Sequence, residues 1–184
     1  MKRKTAKEIL VDSFRELARE KPIDRITVKD ITANCGYSQA TFYRQLKDKY
    51  DLIAWAYSRD LEAILTPVAD GSHPWRQTLL QGAAYYQEHR EYLSNLLLHT
   101  SGYDSFVSNM TEINSRGLRE TILKRTGRET LDLTTEMYIR LYCAGTVQLT
   151  CEWILGRYPV SIEQLAEVYE NALPDPLKQY LLQE

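Results

Sequence analysis

The chain has 184 residues, 43% of them hydrophobic and 26% charged, a composition that fits a folded protein and excludes a disordered or fibrous one; the length allows one large domain or two smaller ones sharing a core. No apolar run approaches the ~20 residues needed to span a bilayer, and the basic start Met1-Lys2-Arg3-Lys4 lacks an apolar signal region, so a cytoplasmic location away from the membrane is expected. The net charge of −2 hides an asymmetry: residues 1–50 carry 12 Lys and Arg against 7 Asp and Glu, the remaining 134 carry 11 against 18, and the basic end is where a polyanion would bind.

In chain order, Thr5-Ala6-Lys7-Glu8 reads as a reciprocal cap opening a first helix over about 5–20. Its apolar positions Ile9, Leu10, Phe14, Leu17 and Ala18 recur at helical spacing, and Pro22 ends it. Thr27 caps a second helix that Gly36 stops after barely two turns, and Ser38 caps a third running to about Gln45 or Leu46. Two short helices joined at a glycine form a helix-turn-helix, whose second helix can lie in a DNA major groove.

Asp48 caps the next helix, expected to run to Pro67, and Ala69–Pro74 reads as a loop. Helices are expected near 74–89, 91–99 and 104–126, the last closed by Lys124, Arg125 and Gly127. From Leu133 to Leu155 only Glu136, Arg140 and Glu152 are charged, so this helix must be buried on more than one face, one of them, near Ala144-Gly145-Thr146-Val147, against a partner subunit. Ser161-Ile162-Glu163-Gln164 caps a last helix to about Ala172. With no period-2 strand pattern, the fold class is all-α, a helix-turn-helix unit over 1–48 fused to a helical domain over 49–184.

The stretch "ITVKDITANCGYSQATFYRQLKDKYDLI", with Thr27-Val28, Ile31, Gly36, Ser38, Thr41, Tyr43 and Lys49 at these spacings, resembles the DNA-binding domain of the tetracycline-repressor-like (TetR) family. It departs from the usual pattern at Gln45 and Leu46, where a His-Phe pair is common, and at Pro22, where glycine is common. The resemblance implies a homodimeric transcription regulator, in this family commonly a repressor, with a three-helix DNA-binding unit and a larger C-terminal domain that dimerises and often encloses a small effector. The run "YYQEHREYLSNLLLHTSGYDSF" resembles a compact branch that includes activators of dihydroxyacetone kinase operons.

Residue chemistry agrees. Ser38, Gln39 and Thr41 at the start of the third helix can reach base edges, and Ala40 can admit a thymine methyl. Tyr43, Arg44, Lys47 and Lys49 can reach phosphates, and Thr27 at a helix N-terminus offers a hydroxyl to another. Each of these side chains taken singly also fits an ordinary cap or a solvated face; their joint spacing favours DNA.

In the C-terminal part Trp75, Tyr85, Tyr86, Tyr103, Phe106, Met110, Met137, Tyr138, Tyr142 and Trp153 either line an apolar effector pocket or form a packed core with polar tips turned outward. Cys35, Cys143 and Cys151 are scattered, and His89 and His99 lack companion ligands, so neither a metal site nor a cofactor is expected. The chain lacks nucleophile-elbow, phosphate-loop, dinucleotide and zinc-protease motifs, so no enzyme activity is expected. Two functional classes remain: a homodimeric regulator binding a palindromic double-stranded operator under effector control, or a co-regulator that works through a partner protein.

Overall fold

The Thr5 amide donates to Glu8 Oε2 at 2.6 Å while the Glu8 amide donates to Thr5 Oγ1, and this reciprocal cap starts α1 (Ala6–Leu17). The computed structural model describes residues 4–100 and 105–182. The same device opens α2 (Val28–Asn34), where Thr27 pairs with Asp30. Single-residue caps follow: Ser38 starts α3 (Gln39–Tyr43) and Asp48 starts α4 (Lys49–Ala69). The C-terminal part contains α5 (Trp75–Glu88), α6 (Arg90–Leu98), α7 (Phe106–Thr126), α8 (Leu133–Ile154), α9 (Ile162–Asn171) and α10 (Asp175–Leu181). The fold is all-α, with no strand among the described residues.

Leu10, Phe14, Ile23, Ile26, Ile31 and Phe42 are fully buried and close the core of the first three helices, to which α4 adds Leu52 and Ile53. Ser13 donates to the Ile31 carbonyl at 2.7 Å and locks α1 to α2. At Gly36 the backbone takes φ 73°, a left-handed conformation that a side chain would strain, and this turn sets α3 against α2. Farther along, α4 and α7 lie together, and a Cβ at Gly117 would sit 2.8 Å from Leu65 Cδ1; the glycine lets the two helices approach.

Four expectations change. Helix α1 ends at Leu17, not near 20, because the carbonyls of Ala18 and Lys21 are taken by Asn95 Nδ2 of α6, at 2.7 and 3.0 Å, and a 3₁₀ turn follows at Ile23–Arg25. Helix α3 stops at Tyr43. Pro67 does not end α4: the missing amide falls in its last turn, and the helix runs on to Ala69 because Val68 is fully buried and its carbonyl accepts from Arg125 Nη1 at 2.7 Å. Helix α10 lies beyond the last helix expected from the sequence; Pro176 falls in its first turn, where proline is tolerated.

Helix α8 is buried along Ile139, Cys143, Val147 and Ile154. Its opposite face exposes Leu133 (76%), Met137 (64%) and Leu141 (68%), one turn apart, continued by exposed Ala144 and Gly145.

Candidate functional site

Helix α3 is packed by one residue, Phe42, and presents Gln39, Ala40, Tyr43 and Arg44 to solvent. Tyr43 is 57% exposed, its ring held edge-on against Phe42 at 5.5 Å. Ser38 accepts from the Thr41 amide at 3.2 Å, and its hydroxyl lies 3.0 Å from Thr41 Oγ1. Arg44 folds back along the helix, Nε donating to the Ala40 carbonyl and Nη2 to Thr41 Oγ1 at 3.2 Å. The Thr27 hydroxyl is likewise occupied, donating to Asp30 Oδ2 at 2.8 Å and accepting from the Asp30 amide. The Thr27 amide, donating to Asp30 Oδ2 at 2.9 Å, and after it the Thr27 hydroxyl hold the Asp30 carboxyl below its ordinary pKa. Lys47 is exposed, its backbone amide capped by Asp51 Oδ2 at 3.0 Å.

Lys49 differs from its expected place among the phosphate contacts. Its ammonium donates to the carbonyls of Ile23, Asp24 and Ile26 at 2.9, 3.0 and 2.9 Å, so all three hydrogens are committed within the head. A lysine at the start of α4 thereby ties down the turn before the helix-turn-helix; no sequence signal marks a contact 23 to 26 residues away.

Two further residues join head to body. Arg15 of α1 pairs with Asp60 of α4, which also accepts from Tyr85 of α5 at 2.7 Å, and the guanidinium lies 5.6 Å from the Tyr92 ring centre. Asn95 Oδ1 accepts from the Ile23 amide at 3.1 Å, completing its grip on the end of α1.

Among the expected effector residues, the structure brings Trp75, Tyr86 and Tyr142 together around a cavity of about 80 Å³ between α4, α5, α7 and α8. Thr78, Leu79, Gly82, Asn114 and Thr146 also line it and were not singled out from sequence; a glycine inside an otherwise regular helix was the available signal. Phe106, Met110 and Tyr138 do not line it. Phe106 packs edge-on against Tyr57 at 5.4 Å, Met110 is fully buried with its sulfur 3.8 Å from Cys151 Sγ, and Tyr138 packs half-buried against the core. Tyr85 instead serves Asp60, Trp153 donates to the Val160 carbonyl, and Met137 faces solvent. Tyr103 lies outside the described residues.

The lining holds no charged side chain and no histidine. Tyr86 Oη sits 2.8 Å from Tyr57 Oη, which accepts from Asn114 Nδ2 at 2.7 Å. Burial pushes the phenols of Tyr57, Tyr86 and Tyr142 up, that of Tyr86 to about 12, so they stay neutral at physiological pH.

Residues 10–55 match the family described as "Bacterial regulatory proteins, tetR family". The HTH-type transcriptional regulator YuxN of Bacillus subtilis (strain 168) is 21% identical over 187 residues; the match takes in 95% of this chain but spans only 64% of that protein's length. Among solved structures, the dihydroxyacetone kinase operon activator DhaS superposes with a TM-score of 0.64 at 20% identity, over 95% of this chain and 97% of that one. A TetR transcriptional regulator from Rhodococcus sp. RHA1 gives 0.63 at 15% identity, over 90% and 96%. The fatty acid degradation regulator FadR from Bacillus halodurans gives 0.58 at 13%, over 94% and 96%. No helix among the described residues is long and apolar enough to cross a membrane. These relatives are described as transcriptional regulators; residues 10–55 of the chain match the tetR-family model, and the chain as a whole shares the fold of solved tetR-family regulators.

Proposed function

We propose that the protein acts in the cytoplasm as a homodimer on a palindromic operator, with residues 1–48 as reading head and 49–184 as dimerisation and effector domain. The observation that carries this is the surface of α3: a helix packed by Phe42 alone and otherwise turned to solvent, at the basic end of the chain. Ser38, Gln39, Ala40 and Thr41 would face base edges, while Thr27, Tyr43, Arg44 and Lys47 would hold phosphates. For Arg44 this needs the guanidinium to swing off Thr41, a rotamer change on an exposed side chain. Lys49 would act indirectly, by holding the turn at Ile23–Ile26.

The apolar row Leu133, Met137 and Leu141 supports the dimer, since a stripe of this kind is costly to leave in water. Two copies of the face would pair isologously. The cavity lined by Trp75, Tyr86 and Tyr142 supports effector control, the ligand favouring one arrangement of the two heads over another. Operator occupancy alone would then repress, the family's usual mode.

The test is selection of binding sites from randomised duplexes with the purified protein at two salt concentrations. An inverted repeat bound with steep salt dependence is expected. A folded dimer that enriches no motif would overturn this reading and favour a co-regulator working through a protein partner.

A further inference from the structure

We propose that the C-terminal cavity selects a small neutral molecule, an apolar body carrying one uncharged oxygen, which Trp75 and Thr78 hold together; this rests on the reading of the cavity as an effector site. Both residues are buried, 5% and 3% exposed, yet Trp75 Nε1 and Thr78 Oγ1 have no hydrogen-bond partner. The indole stands beside the Tyr142 hydroxyl without the geometry of a hydrogen bond, and that hydroxyl already donates to the Tyr169 carbonyl at 2.8 Å.

Thr78 is out of keeping with most of the helical threonines. Thr66, Thr111, Thr121, Thr126, Thr146 and Thr150 each donate their hydroxyl to the carbonyl four residues back, at 2.7 to 3.0 Å. This is the ordinary way for a helical threonine to satisfy itself without solvent. The Thr78 hydroxyl does not do so. It lies one turn from Trp75 on α5, so the two residues that carry the unpartnered groups stand side by side on one wall of the cavity.

An oxygen entering there would accept from the indole and complete the Thr78 hydroxyl. The remaining wall, with Leu61, Leu65, Leu118 and Val147, suits an apolar body. Charge is disfavoured, because no lining side chain could pair with it.

The experiment follows the Trp75 indole ¹H–¹⁵N signal, assigned with Trp75→Phe, while the full chain is titrated with 1-butanol, butyrate or n-butylammonium, which present an alcohol, an anion and a cation on similar short chains. 1-Butanol is expected to move the signal saturably and the two ions are not. Thr78→Val, which keeps the shape and removes the unpartnered hydroxyl, should fold as well as the parent and weaken butanol binding about fivefold, the worth of one net hydrogen bond. Thr78→Ser should restore it. Saturable binding of either ion as tight as that of the alcohol, or undiminished butanol binding by Thr78→Val, would overturn the neutral-oxygen assignment and leave the effector cavity standing. A signal that none of the three moves saturably would overturn both.

Discussion

Lys49→Met would remove an ammonium and keep its aliphatic stem, and the structure predicts that the loss is felt in folding before it is felt on DNA. Three carbonyls lose a donor: that of Asp24 is exposed and can return to water, that of Ile23 keeps the Ile26 amide at 3.1 Å, and that of the fully buried Ile26 is left without one. At about 1 kcal/mol for a buried acceptor left unpaired, the substitution should cost about 1 kcal/mol. Burial of the ammonium opposes a larger figure, since desolvation holds its pKa below the ordinary lysine value despite Asp24 and Asp48 nearby. For a chain of this size about 1 kcal/mol lowers Tm by roughly 2–4 °C. Urea denaturation followed by circular dichroism measures it directly. A loss below about 0.5 kcal/mol would mean that water replaces the ammonium at no cost, and the bracing role would fall. The complementary readout is the salt dependence of operator binding, which Lys49→Met should leave unaltered; a shallower slope would put the ammonium on a phosphate after all.

Lys47→Met, in contrast, should leave stability within about 0.5 kcal/mol and lower the slope of log K against log salt by roughly one, read by fluorescence anisotropy across a salt series. Leu141→Asp, placed in the middle of the exposed row on α8, should convert a dimer to monomers by analytical ultracentrifugation with the helical content retained; an unchanged dimer would move the interface elsewhere. Thr27→Val removes an N-cap worth about 1 kcal/mol. It also removes the hydroxyl's bond to the Asp30 carboxylate, while the larger cause of that group's lowered pKa, the Thr27 backbone amide, stays, so a small pH term goes with it. A carboxyl with a depressed native pKa contributes fully above its ordinary value and loses that contribution as pH falls through the lowered one. The gap in stability between wild type and Thr27→Val should therefore be widest near neutrality and narrow in acid, as urea midpoints measured from pH 7 downward would show.

What could be read from the sequence was what is encoded locally. Thr5-Glu8 and Thr27-Asp30 announce helix starts because both partners lie within four residues, and Gly36 announces the turn because its backbone conformation is one that other residues resist. The exposed half of α3 followed from the same logic, since its caps and its single core residue are adjacent in sequence. Contacts between distant segments were not legible: Lys49 looked like one cation among several, and nothing in a row of letters brings Asn95 to the end of α1. The aromatic set shows the same limit. Trp75, Tyr86 and Tyr142 meet at the cavity while Phe106 and Met110 are sealed in the core, and only the crossing of α4, α5, α7 and α8 sorts one from the other. Helix α10, beyond the last expected helix, opens on two prolines that would break a helix interior but sit comfortably at its start.

Helix α4 belongs to both halves of the molecule. Its first turns complete the core of the head, Arg59 meets Glu8 at 2.8 Å, Asp60 holds Arg15, and its later turns supply Leu61, Ile64 and Leu65 to the cavity wall. Its 21 residues make a rod about 30 Å long at 1.5 Å per residue. A tilt of only about 5° around the cavity end carries the other end through roughly 3 Å, on the order of a whole hydrogen-bond length. If the cavity takes an effector, as proposed, the rod would be a lever between ligand and operator: a guest of a few atoms need not reshape the reading surface, because a slight rotation would take that surface out of register with the bases.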